Sequence, residues 1–222
     1  MAVAAVFILI FSSGCGLIAR MSNETPSEKN IAAEFNLAGL KDKKRPGLKI
    51  LVVVKQPAWL GAPLVLQQML TEQIIGQLTV KAKIRSSALI SYKQLSEFRS
   101  KEPAFYSMTE EDIAKKLGAD VVLLVVIDSY SMLNLADSDL YKATLAGKAV
   151  LIEAAGGKKL WPEQESKMIS VGFDMEQSQE LSLKRLSSSF AHCLTRYLYN
   201  CPYRKFKTAD DSSGVGWQEW EK

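Results

Sequence analysis

Two apolar runs constrain this chain more than any other feature. Leu48-Lys49-Ile50-Leu51-Val52-Val53-Val54 is β-branched and almost continuously apolar, and Val121-Val122-Leu123-Leu124-Val125-Val126-Ile127 is the most strand-like segment present. A strand with one wet face alternates apolar and polar side chains, whereas a near-continuous run suits a central strand covered on both faces. The segments between and after these runs must therefore supply covering layers.

Those segments carry helical signals. Pro63 can open a helix at its first turn, and Leu66, Leu70, Ile74 and Leu78 then recur every four residues, joined by Met69 and Ile75. A short strand is predicted at 87–91, then a helix over Tyr92–Arg99 with Leu95 and Phe98 inward. Thr109 followed by Glu110-Glu111-Asp112 is an N-cap with acids in the first turn, and Gly118 suits the stop of that helix. Leu140–Glu153 alternates loosely, Gly156-Gly157 can turn a hairpin, Lys159–Trp161 starts the return, and Lys167–Phe173 is a further strand. A last helix over Ser178–Leu198 directs Leu183, Leu186, Phe190, Cys193, Leu194 and Tyr197 inward. Two strand–helix units, a hairpin and a closing helix describe a layered α/β domain with a mixed central sheet and flanking helices.

Ahead of this domain, residues 2–11 form an apolar run, followed by Ser12, Ser13, Gly14 and then Cys15. The run is shorter than the roughly 20 residues a helix needs to cross a bilayer, and it matches the apolar core of an export signal followed by small residues. The segment resembles the lipobox of bacterial lipoproteins, although Ser12 stands where that family prefers Leu. The resemblance implies that Cys15 is lipid-modified and becomes the first residue after cleavage. The alternatives are an ordinary signal peptide or a buried strand, with Cys15 as a small hydrophobe, or an uncleaved signal-anchored structural protein. The expected organisation is a signal peptide over 1–14, the anchor and a polar tether over 15–47 with a docked stretch at Ile31–Leu40, the α/β domain over 48–200, and a tail over 201–222.

The 222 residues carry a formal net charge of +4, with 23% charged and 47% hydrophobic residues. That balance is globular and does not point to nucleic acid, and neither a zinc-finger spacing nor a glycine-rich phosphate loop is present. Lys41, Lys43, Lys44 and Arg45 form either a patch for anionic headgroups or a solvated linker. Asp137 and Asp139 fall short of the six or more oxygens a calcium site needs, so no metal or cofactor is expected. His192, the lone histidine, neighbours Cys193 on a helix, where adjacent side chains diverge by about 100° and form no dyad. It is expected at a surface or boundary, and the serines at 187–189 against a neighbouring element. No catalysis is therefore expected; the alternative is an envelope hydrolase in which the fold brings an acid to His192. Cys193 and Cys201 can form a disulfide only if the helix stops near Tyr197–Tyr199 and turns back; otherwise Cys193 packs in the core and Cys201 stays a thiol.

Three tryptophans are candidate protein-binding residues. Trp59 follows the first strand, where it either binds a partner or covers the helix that begins at Pro63. Trp217 and Trp220, three apart in the tail, either form an interface or fold back into a groove of their own domain.

Two phrases carry a wider likeness: Leu117-Gly118-Ala119-Asp120-Val121-Val122-Leu123 and Ala155-Gly156-Gly157-Lys158-Lys159-Leu160-Trp161. Their order resembles the superfamily of the curli-secretion lipoprotein, the lipoprotein activators of penicillin-binding proteins and the N-terminal domain of the Tol-system propeller protein. The resemblance implies an anticodon-binding-like layered fold used for protein contacts. It gives structural roles to Gly118 (helix stop), Asp120 (opening of the buried strand), Gly157 (hairpin) and Trp161 (clamp of the hairpin against the helices). The expected function is that of a lipid-anchored, periplasm-facing envelope protein. It would bind or position a protein partner in a secretion, transport or cell-wall complex, with self-association left open. An open sheet edge after 140–173 could add a partner strand.

Overall fold

The computed structural model describes residues 30–40, 48–134, 140–176 and 178–202. The main sheet has the order β3-β2-β4-β5-β6, with β7 pairing β5 as well. Its strands are β2 (Ile50–Lys55), β3 (Leu89–Ile90), β4 (Val121–Asn134), β5 (Leu140–Glu153), β6 (Lys159–Trp161) and β7 (Lys167–Glu176). β2 runs parallel to β3 and β4, and the remaining pairs are antiparallel. A separate ribbon joins β1 (Asn30–Ile31) to β8 (Cys201–Pro202). The fold is a mixed α/β domain with a central sheet flanked by helices.

The near-continuous apolar runs are used as their composition demands. Successive side chains of a strand point to opposite faces. Ile50, Val52 and Val54 of β2, with Val121, Leu123, Val125 and Ile127 of β4, enter one core. Leu51, Val53 and Val122 enter a second core on the other face. α1 (Leu64–Val80) and α4 (Gln179–Thr195) cover the first face through Leu66, Leu70, Ile74, Leu78, Leu186 and Phe190. α2 (Tyr92–Lys101) and α3 (Glu110–Leu117) cover the second through Leu95, Phe98, Ile113 and Ala114.

Local signals end these helices as their chemistry requires. Ser91 and Gln94 close a reciprocal capping box on α2. The Asp112 amide donates to Thr109 Oγ1 at 3.2 Å at the start of α3. Gly118 ends α3 with φ +67°, a left-handed value that a Cβ disfavours.

Three elements differ from the sequence expectation. β3 is reduced to two residues. β4 runs for 14 residues, well past the apolar stretch that marks it, while β5 spans the expected Leu140–Glu153. A register shift between Ile127 and Ser129 carries the β4–β5 ladder onward into polar residues. α4 is buried almost all round, because α1 packs against it beside the strands β5 and β7, and the 30–40 arm is bonded just past its end. The Phe35 amide donates to the Tyr197 carbonyl and the Leu37 amide to the Leu198 carbonyl, both at 3.1 Å. Leu37 is thereby sealed in the first core, together with Cys201.

This cover has a pH consequence. Tyr199 is 8% exposed. Burial raises its phenol well above the usual tyrosine range, the Cys201 thiol adds to the rise, and the Arg196 guanidinium opposes it. A folded-state pKa above the unfolded value of about 10 gives stability that is complete below pH 10 and is lost as pH rises further. Tyr130, also raised by burial, acts with the same sign. The expected result is that Tyr199→Phe loses less stability than wild type between about pH 10 and 12. Urea midpoints across that window measure it, and parallel curves would assign the alkaline loss elsewhere.

Candidate functional site: a groove at the carboxyl end of the parallel strands

β2 sends its chain to α1 on one face of the sheet, and β3 beside it sends its chain to α2 on the other. In α/β sheets the crevice outside the carboxyl ends of strands, where connections diverge, is a habitual ligand position. Here it holds an open groove of about 410 Å³, within the range of binding pockets. Val53, Val54, Val126, Leu95, Phe105 and Met108 give it apolar walls, and Tyr92, Ser96 and Arg99 add polar groups.

Each wall has a local cause. Gln67 on α1 donates its side-chain amide to the Val54 carbonyl at the end of β2. Gln56 Nε2 donates to the Ala62 carbonyl at 2.7 Å and so ties the loop that follows β2, which turns at Gly61 with φ +61°. Lys55 of β2 is ion-paired with Glu110 at the start of α3. Phe105 packs edge-on against Phe98 and Tyr106, with ring centroids 6.0 and 5.5 Å apart. On α2, Tyr92, Leu95, Ser96 and Arg99 follow i, i+3, i+4, i+7 spacing and present one stripe to the groove. Arg99 makes no ion pair or hydrogen bond among the described residues.

Large apolar side chains stand exposed in and near these walls. Trp59 is 76% exposed on the short 3-10 turn Ala58–Leu60, Leu64 is 89% exposed, and Tyr106, which lines the groove, is 87% exposed. Trp59 therefore does not cover the helix after Pro63, the structural role weighed for it from sequence. Its neighbour on the turn, Leu60, packs against the first core instead.

The other singled-out residues lie away from the groove. Asp120 fastens the opening of the sheet: the Lys49 amide donates to its Oδ2 at 2.8 Å, and its own amide donates to the Lys49 carbonyl at 2.8 Å. Gly157 turns the β5–β6 hairpin with φ +65°. Trp161 is buried; its Nε1 donates to Glu34 Oε2 at 3.0 Å, and its ring lies 6.3 Å from that of Tyr197. It thus joins the hairpin to the 30–40 arm and the end of α4. The Cys193–Cys201 disulfide is not formed. Both are buried thiols, with Cys193 near the end of α4 and Cys201 carried into β8 opposite Ile31. Cys15, Asp137, Asp139, Trp217 and Trp220 lie outside the described residues.

His192, expected at a boundary, is 1% exposed inside the doubly covered α4. Ser187 and Ser189 are buried and donate to the carbonyls of Leu183 and Arg185, at 2.8 and 2.7 Å. They are packing residues. Glu110, Glu111 and Asp112 sit in the first turn of α3. Among the described residues no group of three His, Cys, Asp or Glu side chains could hold a metal ion, and no helix is long and apolar enough to cross a membrane. The groove was missed in the sequence, although the α2 stripe was there to find. Leu95 and Phe98 mark the inward side of α2, and the polar members at 92, 96 and 99 do not stand out by periodicity beside them.

A largely apolar trench with one guanidinium that is unpaired among the described residues can hold a large apolar side chain and a carboxylate together. No protein-family model matches the chain, and no curated protein matches it. Solved structures do. The lipoprotein GNA1162 from Neisseria meningitidis is 19% identical, with a TM-score of 0.42, over 64% of this chain and 94% of that one. A PelC dodecamer subunit from Paraburkholderia phytofirmans is 10% identical, with a TM-score of 0.44, over 77% and 97%. The LpoB C-terminal domain from Salmonella enterica is 19% identical, with a TM-score of 0.35, over 64% and 96%.

Proposed function

We propose that this chain is a lipid-anchored bacterial envelope protein, held through Cys15 and facing the periplasm. It binds a protein partner at the groove beside β2 and performs no bond chemistry. The anticodon-binding-like layering implied by its sequence phrases belongs to this reading. The observation that carries it is the open apolar groove bordered by Tyr106, with Trp59 and Leu64 exposed as well. Exposed aromatics of this size favour burial against a partner, and tryptophan and tyrosine are enriched among residues that dominate interface energy. The anchor would keep the groove near the membrane, and association would be noncovalent.

A photocrosslinking amino acid at position 106, expressed in the native envelope, tests the groove. The expected result is a discrete crosslinked protein, reduced about tenfold or more by Trp59→Ala, the scale of a hot-spot truncation. Palmitate labelling lost in Cys15→Ala tests the anchor. A protein that washes from membranes without label and gives no crosslink overturns the reading.

A further inference from the structure

The groove has a chemistry that this chain's own tail matches. We propose that the aromatic–acidic segment Trp217-Gln218-Glu219-Trp220-Glu221 docks into the groove of its own domain, placing an indole between Leu95, Phe105 and Met108 and a carboxylate on Arg99. The proposal rests on the groove being a protein-binding site and names its resident occupant.

Three observations support this assignment. First, Arg99 lines the groove with no partner among the described residues. A guanidinium presents a planar fork that a carboxylate satisfies with two parallel hydrogen bonds. The stretch 208–222 supplies Asp210, Asp211, Glu219 and Glu221 against the single basic residue Lys222. Second, Val53, Val54, Leu95, Phe105, Met108 and Val126 give the groove apolar walls, the Glu110 carboxylate on its lining is already ion-paired with Lys55, and the volume of about 410 Å³ is large enough for an indole. Trp217 and Trp220, three apart, can share one face of a helical turn, so one can enter while the other lies along the rim. Third, the chain can reach. The fold ends its described part at Pro202 in β8, and fifteen extended residues from there to Trp217 span up to about 50 Å. That exceeds the run of any strand in the sheet. Tethering also makes the event intramolecular, with an effective concentration in the millimolar range, so weak contacts suffice. The tail would shield the groove until a partner of higher affinity displaces it.

Fluorescently labelled peptide 213–222 is the probe, titrated into full-length protein in detergent. Wild type, with its groove filled, is expected to bind the peptide weakly. The full-length Trp217→Ala/Trp220→Ala variant is expected to bind it at least tenfold more tightly. Adding Arg99→Gln to that variant is expected to remove most of the gain, with an unchanged melting temperature as the folding control. Equal binding by wild type and the tail variant overturns the proposal, and so does an Arg99→Gln substitution without effect. Dimers of wild type that dissociate in the tail variant would place the tail in a second copy and overturn docking within one chain. The position-106 crosslink separates the two readings. A partner crosslink retained while the peptide fails to bind leaves the groove a partner site and removes the tail from it. Loss of both removes both.

Discussion

Replacing Phe190 with alanine is expected to lower the stability of the domain by about 3–5 kcal/mol. Against a typical total of about 5–15 kcal/mol, that is enough to leave much of the protein unfolded near its working temperature. Phe190 is a fully buried side chain of α4, and it rests where that helix meets β5. The neighbour that makes room for it is Gly147. A Cβ on Gly147 would lie 2.7 Å from the Val126 carbonyl oxygen and 3.2 Å from Phe190 Cζ. Both distances are too short, and the shorter is to backbone that cannot swing aside. Gly147→Ala is therefore expected to cost about 1–3 kcal/mol, as overpacking does, and Phe190→Leu in the same molecule should not rescue it. Urea midpoints at constant m-value measure these losses. A loss below about 1 kcal/mol for Phe190→Ala would mean that the space collapses and the junction is not close-packed.

Trp161→Ala is expected to cost a similar amount, about 3–5 kcal/mol, and to loosen the 30–40 arm before the rest unfolds. The ring is buried, and its Nε1 holds Glu34. Glu34 is ion-paired with Lys167, whose ammonium sits 3.9 Å from the centroid of the Tyr197 ring. One side chain thus ties the hairpin, the arm and the end of α4. Its removal leaves a cavity and deprives Glu34 of a donor. The arm then keeps its pairing with β8, the bond from the Ala33 amide to Asn200 Oδ1, its backbone bonds to Tyr197 and Leu198 and the burial of Leu37. Amide hydrogen exchange at Phe35 and Leu37 is expected to accelerate, and protease is expected to cut within 30–40. Trp161→Phe, which keeps most of the packing but no N–H, should fall between. Unchanged exchange at those amides in Trp161→Ala would show that the arm is held by other contacts.

The secondary structure was largely readable because its causes are local. The four-residue spacing of Leu66, Leu70, Ile74 and Leu78 marks α1 and its buried face alike. Thr109 with its three acids and Gly118 bracket α3 to the residue. The far half of β4 was not readable: Ser129, Ser131 and Asn134 lack strand character and are held extended by pairing with β5, while Asp128 is the residue stepped over at the register shift. Nor was the burial of His192, since α4 shows one apolar stripe and its second cover comes from residues far away in sequence. The groove joins residues between Val53 and Val126, and its signal on α2 is divided among tyrosine, serine and arginine, which no single periodicity gathers.

The amino-acid order alone determined which segments become strands or helices and which stripe of each helix turns inward. β-branched runs, helical spacing and capping residues act within one or two turns of chain, and their energetics do not depend on distant neighbours. Tertiary structure decided how far the strands extend, which polar residues are enclosed, and that a guanidinium, three aromatic rings and the end of β2 share one opening. The long strands follow from the antiparallel β4–β5 ladder, and the opening follows from the strand order β3-β2-β4, in which the chain steps out to β3 and back past β2, so its connections lie on opposite faces with a crevice between them. Such a crevice exists only once the sheet is assembled.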